Sequence, residues 1–172
     1  MKMKKHTGNL CTAAVIAALY VVLSFMQNLL FPGSTSMAVQ FRVAEALCIL
    51  AFFTPAAIVG LGLGCLLYNL TYAGALPLDF LIGTVATLLA GGTMYALRKV
   101  KLWKVPLLAL LMPAIFNGLL VGWELTFYIG ESTFLFNALC VAAGEVAVLY
   151  ILGIPLYLAF SHKGLDRRLF PR

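Results

Sequence analysis

Five charged side chains lie inside or at the edge of apolar stretches: Arg42, Glu45, Asp79, Glu124 and Glu145. Charge at bilayer depth is rare and faces a bundle interior or a wet cavity, so it indicates a functional site. Carboxylates bind cations and hydrogen-bond donors, and they also pair with arginine. Because Arg42 cannot pair all four acids, a ligand that supplies donors or positive charge is favoured over protonation of the acids.

One part of this set follows a single turn-rich segment. Gln40, Arg42 and Glu45 span about one and a half helical turns, and Arg42 and Glu45 are i,i+3 neighbours on one predicted helical face. An internal ion pair and a pair shared with a ligand remain equal alternatives here.

Two asparagines extend the set. Asn117 lies seven residues before Glu124, and Asn137 lies eight before Glu145, so each pair shares roughly one face of a helix. The predicted ligand-binding residues are Gln40, Arg42, Glu45, Asp79, Asn117, Glu124, Asn137 and Glu145.

Composition identifies the environment of these residues. Of 172 residues, 63% are hydrophobic and 10% are charged, against about 25% charged in soluble domains. The net charge of +6 comes from clusters that flank apolar stretches, as in the cytoplasmic ends of membrane proteins, so no nucleic-acid partner is predicted. These basic clusters are Lys2/Lys4/Lys5, Arg98/Lys99/Lys101/Lys104 and Lys163/Arg167/Arg168/Arg172.

Charge parity sets the number of helices. A span needs about 20 residues, so the uncharged stretch 46–78 fits one long helix or two. An even number of crossings must separate two cytoplasmic clusters, and a break at Thr54–Pro55 provides the extra crossing. The prediction is an all-α integral membrane protein, a single domain over 1–172 with both termini cytoplasmic. Its six helices are 10–31, 41–53, 56–72, 79–97, 105–126 and 136–160.

The second predicted helix is short. Its 13 residues, 41–53, reach about 20 Å, whereas the hydrocarbon core is about 30 Å thick. Its outer end should therefore lie below the membrane surface, covered by the turn-rich segment 32–36. The charged residues would then converge on a recessed outer cavity.

Catalysis and metal binding are not predicted. A glutamate-based intramembrane protease needs a general base with a metal or histidine partner, and His6 and His162 lie at the ends of the apolar region, remote from the acids. A proton-coupled carrier that uses Glu124 or Glu145 as a relay is a second alternative. Inverted repeats would support it, and none is evident.

Small residues mark two helix faces. Helix 10–31 carries two overlapping Ala-x-x-x-Ala pairs, which permit close helix approach in lipid. These alanines are Ala13, Ala14, Ala17 and Ala18. The Gly60-x-Gly62-x-Gly64 pattern has no strand before it, so it is interpreted as close packing and not as nucleotide binding.

The segment Gln40–Leu47, QFRVAEAL, resembles the signature of the QueT family, whose members are substrate-binding (S) components of energy-coupling factor (ECF) transporters and predicted carriers of queuosine precursors. Similar stretches cover nearly the whole chain: 55–61, 117–122 with Glu124, and 137–139 with Gly144–Glu145. The resemblance implies an S-component bundle in the bacterial plasma membrane, in contact with lipid.

The resemblance also implies partners and a ligand. The partners are a coupling transmembrane subunit, which docks on the alanine face, and two ATPase subunits. These subunits would hydrolyse ATP, because this chain has no Walker A motif and no cofactor of its own. The implied ligand is a small molecule, 7-aminomethyl-7-deazaguanine, with cobalamin or another vitamin as the alternative.

Overall fold

A computed structural model describes residues 2–35, 39–102, 105–130, 133–162, 165 and 169–170, with the backbone alone for 2–5 and 129. Much of the predicted basic clusters falls outside the described residues. This holds for the side chains of Lys2, Lys4 and Lys5 and for Lys104, Lys163, Arg167, Arg168 and Arg172. The cytoplasmic location of the termini therefore stays a prediction.

The described residues form six helices, which confirms the predicted all-α class. They are α1 (Lys2–Leu30), α2 (Val43–Phe52), α3 (Ala56–Thr71), α4 (Asp79–Leu97), α5 (Met112–Ile129, after a 3₁₀ turn Ala109–Leu111) and α6 (Phe134–His162). Along the chain, α1 packs on α3, α3 on α4, α4 on α5, and α5 on α6.

Four helices in the described part of the chain are long and apolar enough to cross a membrane: α1, α4, α5 and α6. The helices α2 and α3 are apolar but shorter. The abundance of exposed Leu, Val and Phe on the long helices, such as Leu29, Leu81 and Ile151, fits contact with lipid tails. This arrangement is that of a multi-pass membrane protein.

The second helix differs from the prediction in its hydrogen bonding. It is a 3₁₀ helix of ten residues, about 20 Å long at roughly 2.0 Å per residue, so its predicted shortness is confirmed. Side chains three apart eclipse one another in this geometry, and the small residues Ala44, Cys48 and Ala51 tolerate that crowding. Eight of its ten residues are buried, so α2 lies inside the bundle.

Several helix ends differ from the predicted ones. The helix predicted to start at 105 begins only at Ala109, because Pro106 keeps Val105 extended and Val105 pairs with Leu102. Helix α5 continues past the predicted end at 126 to a left-handed Gly130 with φ 67°. Helix α6 starts two residues early, where the Thr133 hydroxyl caps it by accepting from Phe136 N at 3.4 Å.

Glycines of α3 bring it against α1, which confirms the predicted close packing. A Cβ on Gly60 would lie 2.6 Å from the Ala13 carbonyl oxygen, and a Cβ on Gly64 would lie 2.6 Å from Tyr20 Cβ. Both positions therefore require the absence of a side chain.

This contact divides the alanine face of α1. Ala13 and Ala17 are buried against α3, whereas Ala14 and Ala18 are exposed. Two of the four residues predicted to bind a partner therefore serve packing within the chain. Partner binding stays a prediction for Ala14 and Ala18.

Candidate ligand-binding site

All eight predicted ligand-binding residues are buried, with at most 5% of any side chain exposed. They come from the segment before α2, from α2 itself, and from α4, α5 and α6. Arg42 interacts electrostatically with Asp79 and Glu145, and Glu124 interacts with both Asp79 and Arg42. The fold thus gathers acids from three helices around one guanidinium group.

Arg42 lies just before α2 in extended backbone, with φ −106° and ψ 92°. Its Nε donates to the Thr35 carbonyl oxygen at 3.3 Å. Its Nη1 approaches α4 at Gly83, where an added Cβ would lie 3.7 Å away. The predicted helical face shared by Arg42 and Glu45 is therefore wrong, because Arg42 is not part of the helix.

Glu45 is fully partnered within the protein. The Tyr20 hydroxyl donates to Oε1 at 2.6 Å, and the Cys48 thiol donates to Oε2 at 3.0 Å. Cys48 reaches Glu45 because side chains three apart are eclipsed in a 3₁₀ helix. These contacts favour an anchoring role for Glu45. Tyr20 was not predicted from the sequence, since it lies 25 residues away in an apolar helix.

Asp79 begins α4, as predicted. Its Oδ2 accepts from Leu76 N at 2.8 Å, which ties the preceding turn to the first residue of the helix. Its carbonyl oxygen accepts from Asn69 Nδ2 at 2.9 Å. Its Oδ1 is buried and receives no hydrogen bond from the described residues. Asp79 is held firmly while one oxygen remains available.

Glu124 has no surface exposed to solvent. It lies inside α5, since that helix continues for five residues beyond it to Ile129. Leu78 N–H and the Asp79 carboxyl lie beside Glu124, yet neither of its oxygens receives a well-formed hydrogen bond within the described part of the chain. Two adjacent buried carboxylates repel each other unless a proton or a cation compensates.

Glu145 and Asn117 form a second polar pair, across α5 and α6. Asn117 Nδ2 donates to Glu145 Oε1 at 3.1 Å. Asn117 Oδ1 and Glu145 Oε2 are buried without a donor among the residues described. The approach of the two helices depends on Gly122, where a Cβ would lie 2.7 Å from Ala138 Cα.

The remaining two amides, Gln40 and Asn137, have contacts with the protein. The Gln40 backbone packs against Gly144 of α6, where a side chain would collide with the Gln40 carbonyl oxygen. Asn137 Nδ2 donates to Thr126 Oγ1 at 2.9 Å. Ligand contact stays a prediction for both residues.

The segment between α1 and α2 is tied down by two amides that the sequence analysis missed. Gln27 Nε2 donates to Ser34 Oγ at 2.9 Å and to the Phe41 carbonyl oxygen, and Gln27 Oε1 accepts from Val43 N at 2.7 Å. These bonds hold the predicted cover in place up to Thr35. Ser36 lies outside the described residues.

The companion amide is Asn28. Its Nδ2 donates to Thr35 Oγ1 at 2.8 Å and to the Tyr68 hydroxyl. The polarity of Gln27 and Asn28 near the end of an apolar helix was the available signal for such a role.

The chemistry of the site is dominated by acceptors. Within the described residues, the site contains four buried acids and one buried arginine, Arg42, which leaves a formal surplus of three negative charges. No group of three or more His, Cys, Asp or Glu in the described part of the chain is arranged to hold a metal ion. The arrangement suits an organic ligand that is rich in N–H donors and carries positive charge.

Comparison with known proteins identifies the family. The family model for the QueT transporter matches residues 10–162. The queuosine precursor transporter QueT of Lactococcus lactis subsp. cremoris (strain MG1363) is 33% identical over 88 residues, which are 49% of this chain and 48% of that protein. The match thus spans about half of the curated relative. No solved structure matches the chain.

The family match covers α1 from Leu10 onward, the whole of α2 to α6, and every predicted ligand-binding residue. Both the family and the relative are transporters, which agrees with the prediction that the chain is not an enzyme. The resemblance found in the sequence is confirmed, and the chain belongs to the QueT transporter family.

Proposed function

We propose that this chain is the substrate-binding component of an ATP-driven ECF importer for a queuosine precursor, 7-aminomethyl-7-deazaguanine. One structural observation supports this function most directly. Five buried oxygens on four predicted site residues have no donor in the described part of the chain. The family and the name of the Lactococcus lactis relative support the class of substrate.

The ligand complements this set of oxygens. It is a flat, purine-like base with a guanine-like N–H edge and a protonated amine, so it offers donors and positive charge together. A buried acceptor left without a donor costs about 1–3 kcal/mol. A ligand that supplies the missing donors would recover this cost, and hydrogen bonds to charged groups contribute roughly 1.5–3 kcal/mol each.

The proposed transport partners are a coupling transmembrane subunit and two ATPase subunits. The exposed residues Ala14 and Ala18 provide a surface of small side chains on α1 where another helix can approach closely. The chain would bind the substrate, and the ATPase subunits would supply the energy. In this proposal both termini of the chain face the cytoplasm.

Direct titration tests the ligand. The purified protein in lipid nanodiscs is titrated with 7-aminomethyl-7-deazaguanine and, separately, with cobalamin. Saturable binding of the deazapurine without binding of cobalamin is expected. The absorption spectrum of the protein as purified is an independent check, because a retained corrin is coloured and a deazapurine absorbs only in the ultraviolet. Binding of cobalamin alone would overturn the assignment of the ligand.

Reconstitution tests the energy source. The chain is placed in liposomes by itself, and uptake of the radiolabelled deazapurine is measured with and without a proton gradient. No concentrative uptake is expected from the isolated chain. Gradient-driven uptake without partners would instead establish a proton-coupled carrier and contradict the ECF proposal.

A further inference from the structure

We infer that the site divides its free oxygens between two tasks: Asp79 and Glu124 bind the primary ammonium group of the ligand, and Asn117 and Glu145 bind the planar N–H edge of its base. This inference rests on the proposed function, because it assigns the parts of the same ligand. It identifies Asp79 and Glu124 as the residues that determine selectivity for the amine.

The first pair matches an ammonium group in the number of hydrogen bonds and is opposite to it in the sign of charge. Asp79 and Glu124 are adjacent, and 4% and 0% of their surfaces are exposed. Together they present three oxygens without a donor: Asp79 Oδ1 and both oxygens of Glu124. A primary ammonium has three N–H donors and no acceptor. One such group between the carboxylates would satisfy all three oxygens and offset the repulsion between the two acids.

One member of this pair, Asp79, is held in place before a ligand arrives. Asp79 Oδ2 is held by Leu76 N at 2.8 Å. The carbonyl oxygen of Asp79 is held by Asn69 Nδ2 at 2.9 Å. Only Oδ1 is left to face a ligand. Because Asp79 is already held in place, less side-chain entropy is lost when an ammonium group binds to it.

The second pair matches a planar edge. Because Asn117 donates to Glu145 Oε1, the pair leaves two buried oxygens without a donor among the described residues, the neutral Asn117 Oδ1 and the carboxylate oxygen Glu145 Oε2. Two acceptors on hydrogen-bonded side chains match two N–H donors in number, such as the ring N–H and exocyclic amine of a guanine-like base. The hydrogen bond between the two side chains orients both acceptors.

The fourth acid falls outside this division. Both oxygens of Glu45 already accept, from Tyr20 and from Cys48, at 2.6 and 3.0 Å. Glu45 therefore has no buried oxygen that lacks a donor. Glu45 is therefore a positioning residue that anchors α2 to α1.

A pair of ligands that differ only in the amine tests the division. The probes are 7-aminomethyl-7-deazaguanine and 7-cyano-7-deazaguanine, which has the same base edge with a nitrile in place of the ammonium. Each is titrated into the complete protein in nanodiscs. Wild type is expected to bind the amine at least about tenfold more tightly, since hydrogen bonds to charged groups are the stronger ones.

Three isosteric variants then separate the tasks. Asp79→Asn and Glu124→Gln are expected to weaken binding of the amine by at least about tenfold and binding of the nitrile by less than about threefold. The matched variant, Glu145→Gln, is expected to weaken both ligands by similar factors. Thermal unfolding of each variant without ligand checks that the fold is retained.

The results distinguish this inference from the proposed function. If wild type binds both probes but the variants at Asp79 and Glu124 weaken them equally, or weaken neither, the division is wrong and the proposed function stands. The same holds if Glu145→Gln is the variant that loses the amine selectively, or if wild type does not prefer the amine. If wild type binds neither probe, the proposed function itself fails.

Discussion

The Tyr20 hydroxyl and the Glu45 carboxylate are joined by a hydrogen bond of 2.6 Å that links α1 to α2. Through this hydrogen bond, the buried Glu45 helps to hold α1 and α2 together. Together with the Cys48 thiol it gives each oxygen of Glu45 a donor. Among the acids that the structure describes, Asp79, Glu124 and Glu145 keep buried oxygens without one.

Removing this hydroxyl should destabilise the protein. In Tyr20→Phe, Glu45 Oε1 loses its donor inside the bundle, and we expect a loss of about 1–3 kcal/mol in the free energy of unfolding. Thermal unfolding in detergent measures the effect. The control is Tyr150→Phe, whose hydroxyl donates to the neutral Leu107 carbonyl oxygen at 3.0 Å. An equal loss in both variants would contradict a special role for the Tyr20–Glu45 bond.

A side chain at Gly64 should separate α1 from α3. In Gly64→Ala the new Cβ would lie 2.6 Å from Tyr20 Cβ and 3.0 Å from the Ala17 carbonyl oxygen, and overpacking of this kind typically costs about 1–3 kcal/mol. The matched control is Gly92→Ala on α4, where nothing lies within 4 Å of the new Cβ. Gly64→Ala should melt at a lower temperature than wild type because of the overpacking. Gly92→Ala should melt at a higher temperature, because alanine is a better helix former than glycine. Wild-type stability in Gly64→Ala would contradict the tight α1–α3 contact.

Bulky residues on the exposed half of the alanine face should impair transport but not binding. Ala14→Phe and Ala18→Phe add volume where the described chain leaves α1 uncovered. We expect the ligand affinity of the purified chain to change by less than about threefold, which is less than the tenfold change that about 1.4 kcal/mol of binding free energy would produce. Uptake by cells that contain the complete transporter should fall strongly. Normal uptake would argue against partner docking on this face.

Ala13→Phe serves as the contrasting variant, because Ala13 is buried against Gly60. It should lower the melting temperature as well as uptake. A variant at Ala13 that unfolds like wild type would contradict the division of the face into an inner and an outer half.

Loss of the Gln27 amide should loosen the segment before α2. Gln27→Leu removes the bonds to Ser34, to the Phe41 carbonyl oxygen and from Val43 N. Each bond contributes about 0.5–1.5 kcal/mol. Hydrogen exchange at the Val43 amide should therefore be faster, and dissociation of the bound deazapurine should be faster too. Unchanged exchange in this region would show that other contacts hold the segment.

The sequence specified the helices better than the contacts of the site. The start of α4 at Asp79 and of α3 after Pro55 followed from charge and from proline stereochemistry. Burial of all eight predicted residues followed from the cost of charge in lipid. The 3₁₀ winding of α2 did not follow, because its tight turns depend on packing from four neighbouring elements, which a local pattern does not encode.

Pairing within the site was also beyond the sequence. The i,i+3 spacing of Arg42 and Glu45 suggested an ion pair, yet extended backbone at Arg42 directs the two side chains to different partners. The roles of Tyr20 and Asn69 could not be predicted, because the sequence does not show which partner a single polar group in an apolar helix will contact. The alanines of α1 predicted a face for close helix packing, but they did not show which helix packs there. For Ala13 and Ala17 that helix is α3.

The enclosed position of α2 has a consequence for how the chain enters the membrane. With ten residues, an arginine before it and a glutamate in its first turn, this helix is a poor insertion signal, since charged residues oppose partitioning by about 2.5–3.5 kcal/mol each at the centre of a helix. We expect it to remain outside the lipid during synthesis until α3 and α4 have emerged from the ribosome. The binding site would then form last, when α2 packs into a bundle whose other helices are nearly complete.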